Sequence, residues 1–340
     1  MIRPDLSTIP AYVPGKRNTT ALKLSSNEVA TPPLASAVEA MAQAAATANR
    51  YPDMGAQELK EALADHLGVT PQQVAVGNGS SALCQQLVQI TSTEHNNVIY
   101  PWRSFEAYPI FAQVVGAEPR PVELREDGKH DLDRMASLID DSTSLIFLCN
   151  PNNPSGQIIT QAEFDEFMAK VPTNVVVGLD EAYFEFNRDE DTVVATEAIE
   201  RYPNVVGLRT FSKAYGLAGV RVGYAFGSEE LITALDKVAI PFGVSAVAQA
   251  GAVASLRSAD ELLERTDETV AIRDRVADHI GAQHSQANFV WLPGVDANTL
   301  AAALAEQGIL ARAFPEGLRV SVTTEEEANQ FLAVWDAINA

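Results

Sequence analysis

The chain has 340 residues, 46% of them apolar, and a net charge of −21, which is length enough for two domains around a large core. That acidity excludes a surface built for nucleic acid or anionic membrane, although a local cluster of arginines can still invert the field inside a cleft and admit an anionic substrate. The two cysteines, Cys84 and Cys149, lie in apolar runs without metal-ligand spacing, so no disulfide framework and no metal centre is expected, and the cytoplasm is the default location.

Residues 1–33 carry five prolines and read as an irregular arm laid over another surface. Met1 to Thr8 lacks the apolar core of a signal peptide. Residues 34–47 are alanine-rich and helical, stopped by Asn49-Arg-Tyr-Pro52, and 57–67 form an amphipathic helix with Gly68 as C-cap. A regular alternation follows. Strands are expected at 74–76, 97–100, 121–124, 144–149, 175–179, 205–208 and 222–226. Helices are expected at 80–90, 105–115, 132–139, 160–170 and 193–202, the fourth opened by a capping box of Thr160 and Glu163. Near-continuous apolar strands alternating with helices mean an α/β class domain, doubly wound around a mostly parallel sheet, over 34–240.

The rhythm changes near residue 240. The uncharged stretch 238–256 is nearly long enough to span a bilayer. It holds Pro241, Gly243, Ser245, Gln249 and Gly251 among alanines and valines, and reads as a buried helix instead. Ser258 and Glu261 form a capping box for a long helix running to Gly281. A strand at 288–292, a helix at 300–307, a strand at 318–322 and a last helix capped by Thr324 and Glu327 complete a second, smaller α+β domain over 241–340.

In an open α/β sheet, ligands bind outside the carboxyl ends of the strands. Four such ends carry chemistry. Gly77-Asn-Gly-Ser-Ser81 runs directly into a helix, which makes either an anion site or a tight connection. Asn150-Pro-Asn-Asn-Pro-Ser-Gly156 is a proline-stiffened loop, offering either a fixed asparagine donor or an ordinary turn. Asp180 follows an apolar strand and needs a cationic or hydrogen-bonding partner, either a pyridinium N–H or an arginine. Tyr183, three residues on, reaches the same neighbourhood.

The fourth end is Thr210-Phe-Ser-Lys-Ala-Tyr-Gly-Leu-Ala-Gly-Val-Arg-Val-Gly223. A lysine at the mouth of a buried strand is desolvated, which favours its neutral, nucleophilic amine. Thr210, Ser212 and Arg221 supply donors for a phosphate. An amine beside a phosphate cup suits pyridoxal 5′-phosphate, whose aldehyde condenses with lysine. The bland alternative is a loop lysine in water.

The order Asn153-Pro-Ser-Gly156, Asp180-Glu-Ala-Tyr183, Ser212-Lys213 and Arg221 resembles the fold-type I pyridoxal-phosphate aminotransferases, in particular their histidinol-phosphate branch. Tyr12-Val-Pro-Gly15, Asn49-Arg-Tyr-Pro-Asp53 and Gly317-Leu-Arg-Val-Ser321 extend the likeness over nearly the whole chain. The resemblance implies that Lys213 is the Schiff-base lysine and proton shuttle, that Asp180 pairs with the pyridine nitrogen, and that Asn153 and Tyr183 bond the phenolic oxygen. Ser212, Arg221, Gly79 and Ser80 would hold the phosphate, and Phe105 would stack on the ring. Tyr51 would reach the neighbouring subunit's cofactor, implying a homodimer with shared active sites, and Arg319 would grip the substrate α-carboxylate.

Two features bear on the substrate. Asn27-Glu28 is followed by Val29, where the histidinol-phosphate enzymes usually carry an Asn-Pro pair. Pro101-Trp-Arg-Ser-Phe-Glu-Ala-Tyr108 is similar to a related actinobacterial group acting on aromatic amino acids. The expected reaction is therefore transamination of phenylalanine, tyrosine or tryptophan with 2-oxoglutarate, with Arg319, Tyr12, Asn27 and Arg312 at the substrate and an aromatic wall from Tyr12, Trp102, Phe105 and Tyr108. The alternatives are histidinol-phosphate transamination with Arg312 at the phosphate, another reaction on the same cofactor such as decarboxylation, and the sensing domain of a transcriptional regulator. The last is opposed by the charge and by the absence of a DNA-binding extension.

Overall fold

The structure, a computed structural model, describes residues 2–13, 15, 18 and 20–339; Pro14 of the Tyr12-Val-Pro-Gly15 motif lies outside them. β1 (Leu22–Lys23), α1 (Ala35–Ala45) and α2 (Gln57–Leu67) lead into the alternating run. That run comprises β2 (Val74–Gly77), α3 (Ser80–Thr91), β3 (Asn97–Trp102), α4 (Tyr108–Val115), β4 (Glu118–Glu123), α5 (Leu132–Ser137) and β5 (Thr143–Cys149). It continues through α6 (Gln161–Met168), β6 (Val176–Asp180), α7 (Ala195–Arg201), β7 (Val205–Thr210) and β8 (Gly223–Gly227) to α8 (Glu229–Val238) and α9 (Ala246–Leu256). α10 (Ala259–Ile280), β9 (Phe289–Pro293), α11 (Ala297–Glu306), β10 (Ile309–Leu310), β11 (Arg312–Phe314), β12 (Gly317–Ser321) and α12 (Glu325–Asn339) follow.

The alternating run builds a seven-stranded sheet of order β2-β8-β7-β6-β5-β3-β4. All its strands run the same way except β8, which is antiparallel to both neighbours. β4 and β5 flank β3 on opposite sides, so the chain reverses its progress there, and such a reversal opens a crevice at the carboxyl ends of the strands. β5 to β8 are buried almost end to end, as a sheet covered on both faces requires.

Local chemistry sets the element ends. α2 buries Leu59, Leu63 and Leu67 at helical spacing, and Gly68 closes it in the left-handed region at φ 72°. The Thr160–Glu163 capping box forms at the start of α6. α4 begins at Tyr108 rather than 105, because Pro109 sits in its first turn, where a missing N–H costs nothing. The shortening leaves Phe105 in a turn at the mouth of the crevice. β4 starts earlier than expected because it is an edge strand, where Pro119 and Pro121 are tolerated.

The stretch 238–256 is not one buried helix. Pro241 and Gly243 interrupt it between α8 and α9, and Ile240 and Phe242 are exposed. α9 restarts at Ser245, whose Oγ accepts from Ala248 N at 3.1 Å. It packs on α1 and α2, and its Ala248, Ala252 and Val253 share a core with Leu59 and Leu63. A Cβ on Gly251 would stand 2.7 Å from Met41 Cγ, so this close helix approach needs glycine. Ser258 makes no capping box. Its hydroxyl donates to Ala254 O and meets Ser36. At α12, Thr324 Oγ1 accepts from Glu327 N at 3.4 Å, while the Glu327 carboxylate takes the neighbouring Thr323 hydroxyl.

The later elements form an antiparallel sheet β11-β12-β9 over a separate apolar cluster that includes Leu24, Val276, Leu318 and Phe331. β1 pairs with β10, and Leu24 O accepts from Ser321 N. The arm is therefore tied to this small sheet immediately before residues 25–28 cross the crevice.

Candidate active site

The four strand ends open on one crevice of about 560 Å³, closed on its far side by β11, β12 and residues 25–28. Asp180 ends β6 at its floor, 4% exposed. Its Oδ2 accepts from Tyr108 Oη at 2.7 Å, with Cys84 Sγ at 3.9 Å, while Oδ1 has no partner among the described residues. Burial pushes its pKa up to about 6, with the Tyr108 hydrogen bond opposing. The alternative of an arginine partner is settled in space: Arg209 donates to Glu181 at 2.8 Å instead. Leaving a buried carboxylate oxygen bare costs about 1–3 kcal/mol, and a ring N–H would meet that need.

Lys213 Nζ donates to Ser26 O at 3.1 Å and stands 5.6 Å from the centre of the Tyr183 ring. Burial pulls its pKa down to about 7, and Arg319 pulls the same way. Tyr183 is buried, and its Oη accepts from Asn27 Nδ2 at 2.9 Å. The asparagines of the 150–153 loop divide their work. Asn150 and Asn152 bond Thr192, Val193, Ser104 and Ser155. Asn153 lines the crevice and accepts from Arg319.

The anion cup forms where the start of α3 faces the loop after β7. Arg221, at φ 59°, donates to Ser212 Oγ at 3.1 Å and lies 3.5 Å from Ser81 Oγ. Ser212 N donates to Thr210 Oγ1. Ser80 and Ser81 line the crevice. The cradle needs bare backbone: a Cβ on Gly79, at φ 79°, would fall 2.3 Å from Arg221 Nη2, and one on Gly223 would fall 2.4 Å from Ser80 N. A helix N-terminus, hydroxyls and a guanidinium around one hollow are donors of the kind that an anion such as phosphate takes.

Arg312 and Arg319 face each other across the β11–β12 ladder. Arg319 is 6% exposed and donates to Ser25 O at 2.7 Å, and its Nε is unpartnered among the described residues. Arg312 donates to Glu106 Oε2 at 2.7 Å and to Val13 O. Phe105 and Tyr12 lie on the same side, with ring centres 6.4 Å apart.

The family model "Aminotransferase class I and II" matches residues 19–334. The chain belongs to the class I and II aminotransferases. Relatives named aromatic amino acid aminotransferase include one from Corynebacterium diphtheriae, 66% identical over 99% of this chain and 99% of its own. Another, from Corynebacterium glutamicum, is 66% identical over the full length of both. Among solved structures, a histidinol-phosphate aminotransferase from Sinorhizobium meliloti in complex with pyridoxal-5′-phosphate shares a TM-score of 0.90 and 28% identity, covering 99% of this chain and 98% of its own.

The structure of this aminotransferase brings Lys213, Asp180, Tyr183, Asn153, Ser80, Thr210, Ser212, Arg221, Phe105, Tyr12, Asn27, Arg312 and Arg319 to one cavity, with Gly79 behind Arg221. Tyr51 stands elsewhere, 83% exposed and stacked on Phe242 at 4.6 Å. Trp102 and Tyr108 do not line the crevice, so the expected aromatic wall loses two members: Tyr108 turns into the core to reach Asp180. Sequence reasoning also missed Glu106, the contact of Cys84 with Asp180, and the carbonyls of Ser25 and Ser26. Carbonyls carry no residue-type signal, and Glu106 was hidden inside a segment read only for its aromatics.

Proposed function

We propose that this aminotransferase moves the amino group of phenylalanine, tyrosine or tryptophan to 2-oxoglutarate. The observation that carries the reading is 66% identity over essentially the whole chain to relatives named aromatic amino acid aminotransferase. The site supports it. Pyridoxal 5′-phosphate, when bound, supplies an electron-accepting ring, and the residues present fit it. Asp180 Oδ1 would take the ring nitrogen, and Asn153 and Tyr183 the phenolic oxygen. The cup of Gly79, Ser80, Ser81, Thr210, Ser212 and Arg221 would take the phosphate, and Phe105 would cover the ring. Arg319 would hold the α-carboxylate that every donor and acceptor carries. Lys213 Nζ, with its pKa near neutrality, would take the α-proton as a base and return it as an acid.

Histidinol phosphate would need its dianion met by arginine, and Arg312 is already paired with Glu106. In a direct competition assay we expect kcat/KM for phenylalanine or tyrosine to exceed that for histidinol phosphate. A preference for histidinol phosphate overturns the substrate and leaves transamination standing.

We further infer a homodimer with shared sites. Tyr51, Met54, Ile240 and Phe242 are exposed apolar side chains, and Phe242 stacks beneath Tyr51. Such a patch calls for a partner, and Tyr51 has no role within its own chain's crevice. The buried free cysteines suit a reducing, cytoplasmic setting. We divide the chain into an arm over 1–33, a large domain over 34–240 and a small domain over 241–340, with Ala248, Ala252 and Val253 of α9 packed into the core of the large domain.

A further inference from the structure

Asp180 is gripped on one side only. Its Oδ2 is turned into the core, toward the Tyr108 hydroxyl at 2.7 Å and the Cys84 thiol at 3.9 Å. Its Oδ1 is bare and the residue lines the crevice. Tyr108 is fully buried and cannot swing away. Its ring stacks on Phe147 with centres 4.3 Å apart and planes 6° apart, and Phe105 meets it edge-on at 5.4 Å. Phe105, which lines the crevice, thus packs on the same ring that bonds Asp180.

We propose that Tyr108, backed by Cys84, is the positioning residue that holds Asp180 with one oxygen satisfied inside the core and the other presented to the crevice as a carboxylate. The proposal rests on the cofactor reading for the purpose of that bare oxygen, but not for the hydrogen bond itself.

The direction of the hydrogen bond follows from the groups around it. Burial and the neighbouring Asp180 raise the Tyr108 pKa well above its ordinary value, and the Cys84 thiol moves the same way for the same reasons. Both stay protonated and act as donors to the carboxylate. The other titratable groups facing Asp180 do not supply this. Cys149, at the end of β5, is also pushed up by burial, to about 12. Glu181 turns to Arg209 and Ala195 N. Tyr183 accepts from Asn27, and Lys213 donates to Ser26. Tyr108 is therefore the strongest donor opposing desolvation at Asp180, with the Ala182 backbone N–H and the Cys84 thiol acting the same way more weakly. A hydrogen bond to a charged acceptor typically shifts its protonation by about ten-fold or more.

The test compares wild type with Tyr108→Phe, which keeps the ring and its stack on Phe147. The Asp180 carboxyl is titrated in cofactor-free protein by infrared difference spectroscopy, with Asp180→Asn identifying its band. We expect the midpoint to start near 6 and to rise in Tyr108→Phe by about one pH unit, with far-ultraviolet circular dichroism and the thermal unfolding transition retained. Cys84→Ala should move it less, in keeping with the longer contact. Pyridoxal 5′-phosphate affinity is then measured against pH. The variant should lose affinity at about one unit higher pH than wild type and converge with it in alkali. An unmoved Asp180 midpoint in folded Tyr108→Phe overturns the proposal and leaves Tyr108 as packing alone. A moved midpoint with cofactor affinity indifferent to it supports the Tyr108–Asp180 coupling and removes the pairing of Asp180 with the ring nitrogen.

Discussion

Lys213 shows how a single side chain acquires chemistry from its surroundings. Its ammonium loses water at the end of β7 and stands near Arg319, so its pKa falls to about 7 against the usual value near 10.5. Between those two pH values the unfolded chain holds a proton that the folded one has released. Stability from this group therefore rises with pH across that window, and the cost of the buried charge is felt in full below about 7. Reactivity follows the same proton. Acylation of Lys213 in cofactor-free protein, read by mass spectrometry, should climb about ten-fold per unit up to pH 7 and then level off. A rate still climbing beyond pH 9 would mean an ordinary hydrated lysine. In cofactor-loaded protein, borohydride should attach the cofactor at Lys213; attachment at another lysine reassigns the site.

At the scale of elements, the crevice depends on where strands stop and what backbone follows. α3 begins directly after Gly79, and the left-handed φ of 79° there turns the chain so that Ser81 meets Arg221. Alanine at 79 would be strained by roughly 1 kcal/mol and would drive its Cβ into the Arg221 guanidinium. Gly79→Ala should therefore lower stability by about 1–2 kcal/mol. It should also weaken binding of inorganic phosphate and of pyridoxal 5′-phosphate at least ten-fold, measured by calorimetry. Unchanged phosphate affinity in the folded variant would move the anion site away from this cup. The start of α4 matters in the same way: Pro109 in its first turn leaves residues 105–107 outside the helix, which frees Phe105 and Glu106 to face the crevice.

At the scale of the molecule, the site is assembled from the sheet, the small sheet and the arm. Arg319 on β12 and Lys213 after β7 both end on carbonyls of the arm, at Ser25 and Ser26. In the proposed homodimer, the exposed pair Tyr51 and Phe242 would extend the assembly to a second copy. Mixing Lys213→Ala with Tyr51→Phe chains should restore roughly a quarter of wild-type turnover, because random pairing makes half the dimers mixed and each mixed dimer holds one intact site. No gain after subunit exchange, followed by sedimentation, would argue for sites complete within one chain.

Much of this was legible in the sequence because it is local. Apolar strand runs, the Thr160–Glu163 box and Gly68 report the backbone around them, and a lysine or aspartate at the end of an apolar run reports its own desolvation. The position of Asp180 and Lys213 at carboxyl ends of parallel strands follows from that alternation alone, whereas Arg221 reaches the same edge because it precedes β8, which runs antiparallel to its neighbours. Tertiary structure decided what depends on residues far apart in the chain. Asp180 is served by Tyr108 and Cys84, 72 and 96 residues away, and Arg209, an equally good partner on paper, goes to Glu181. Arg312 is held by Glu106, 206 residues distant. No periodicity records such choices, because a hydrogen bond is made with whichever donor the packed core brings within about 3 Å, and only the completed fold ranks the candidates.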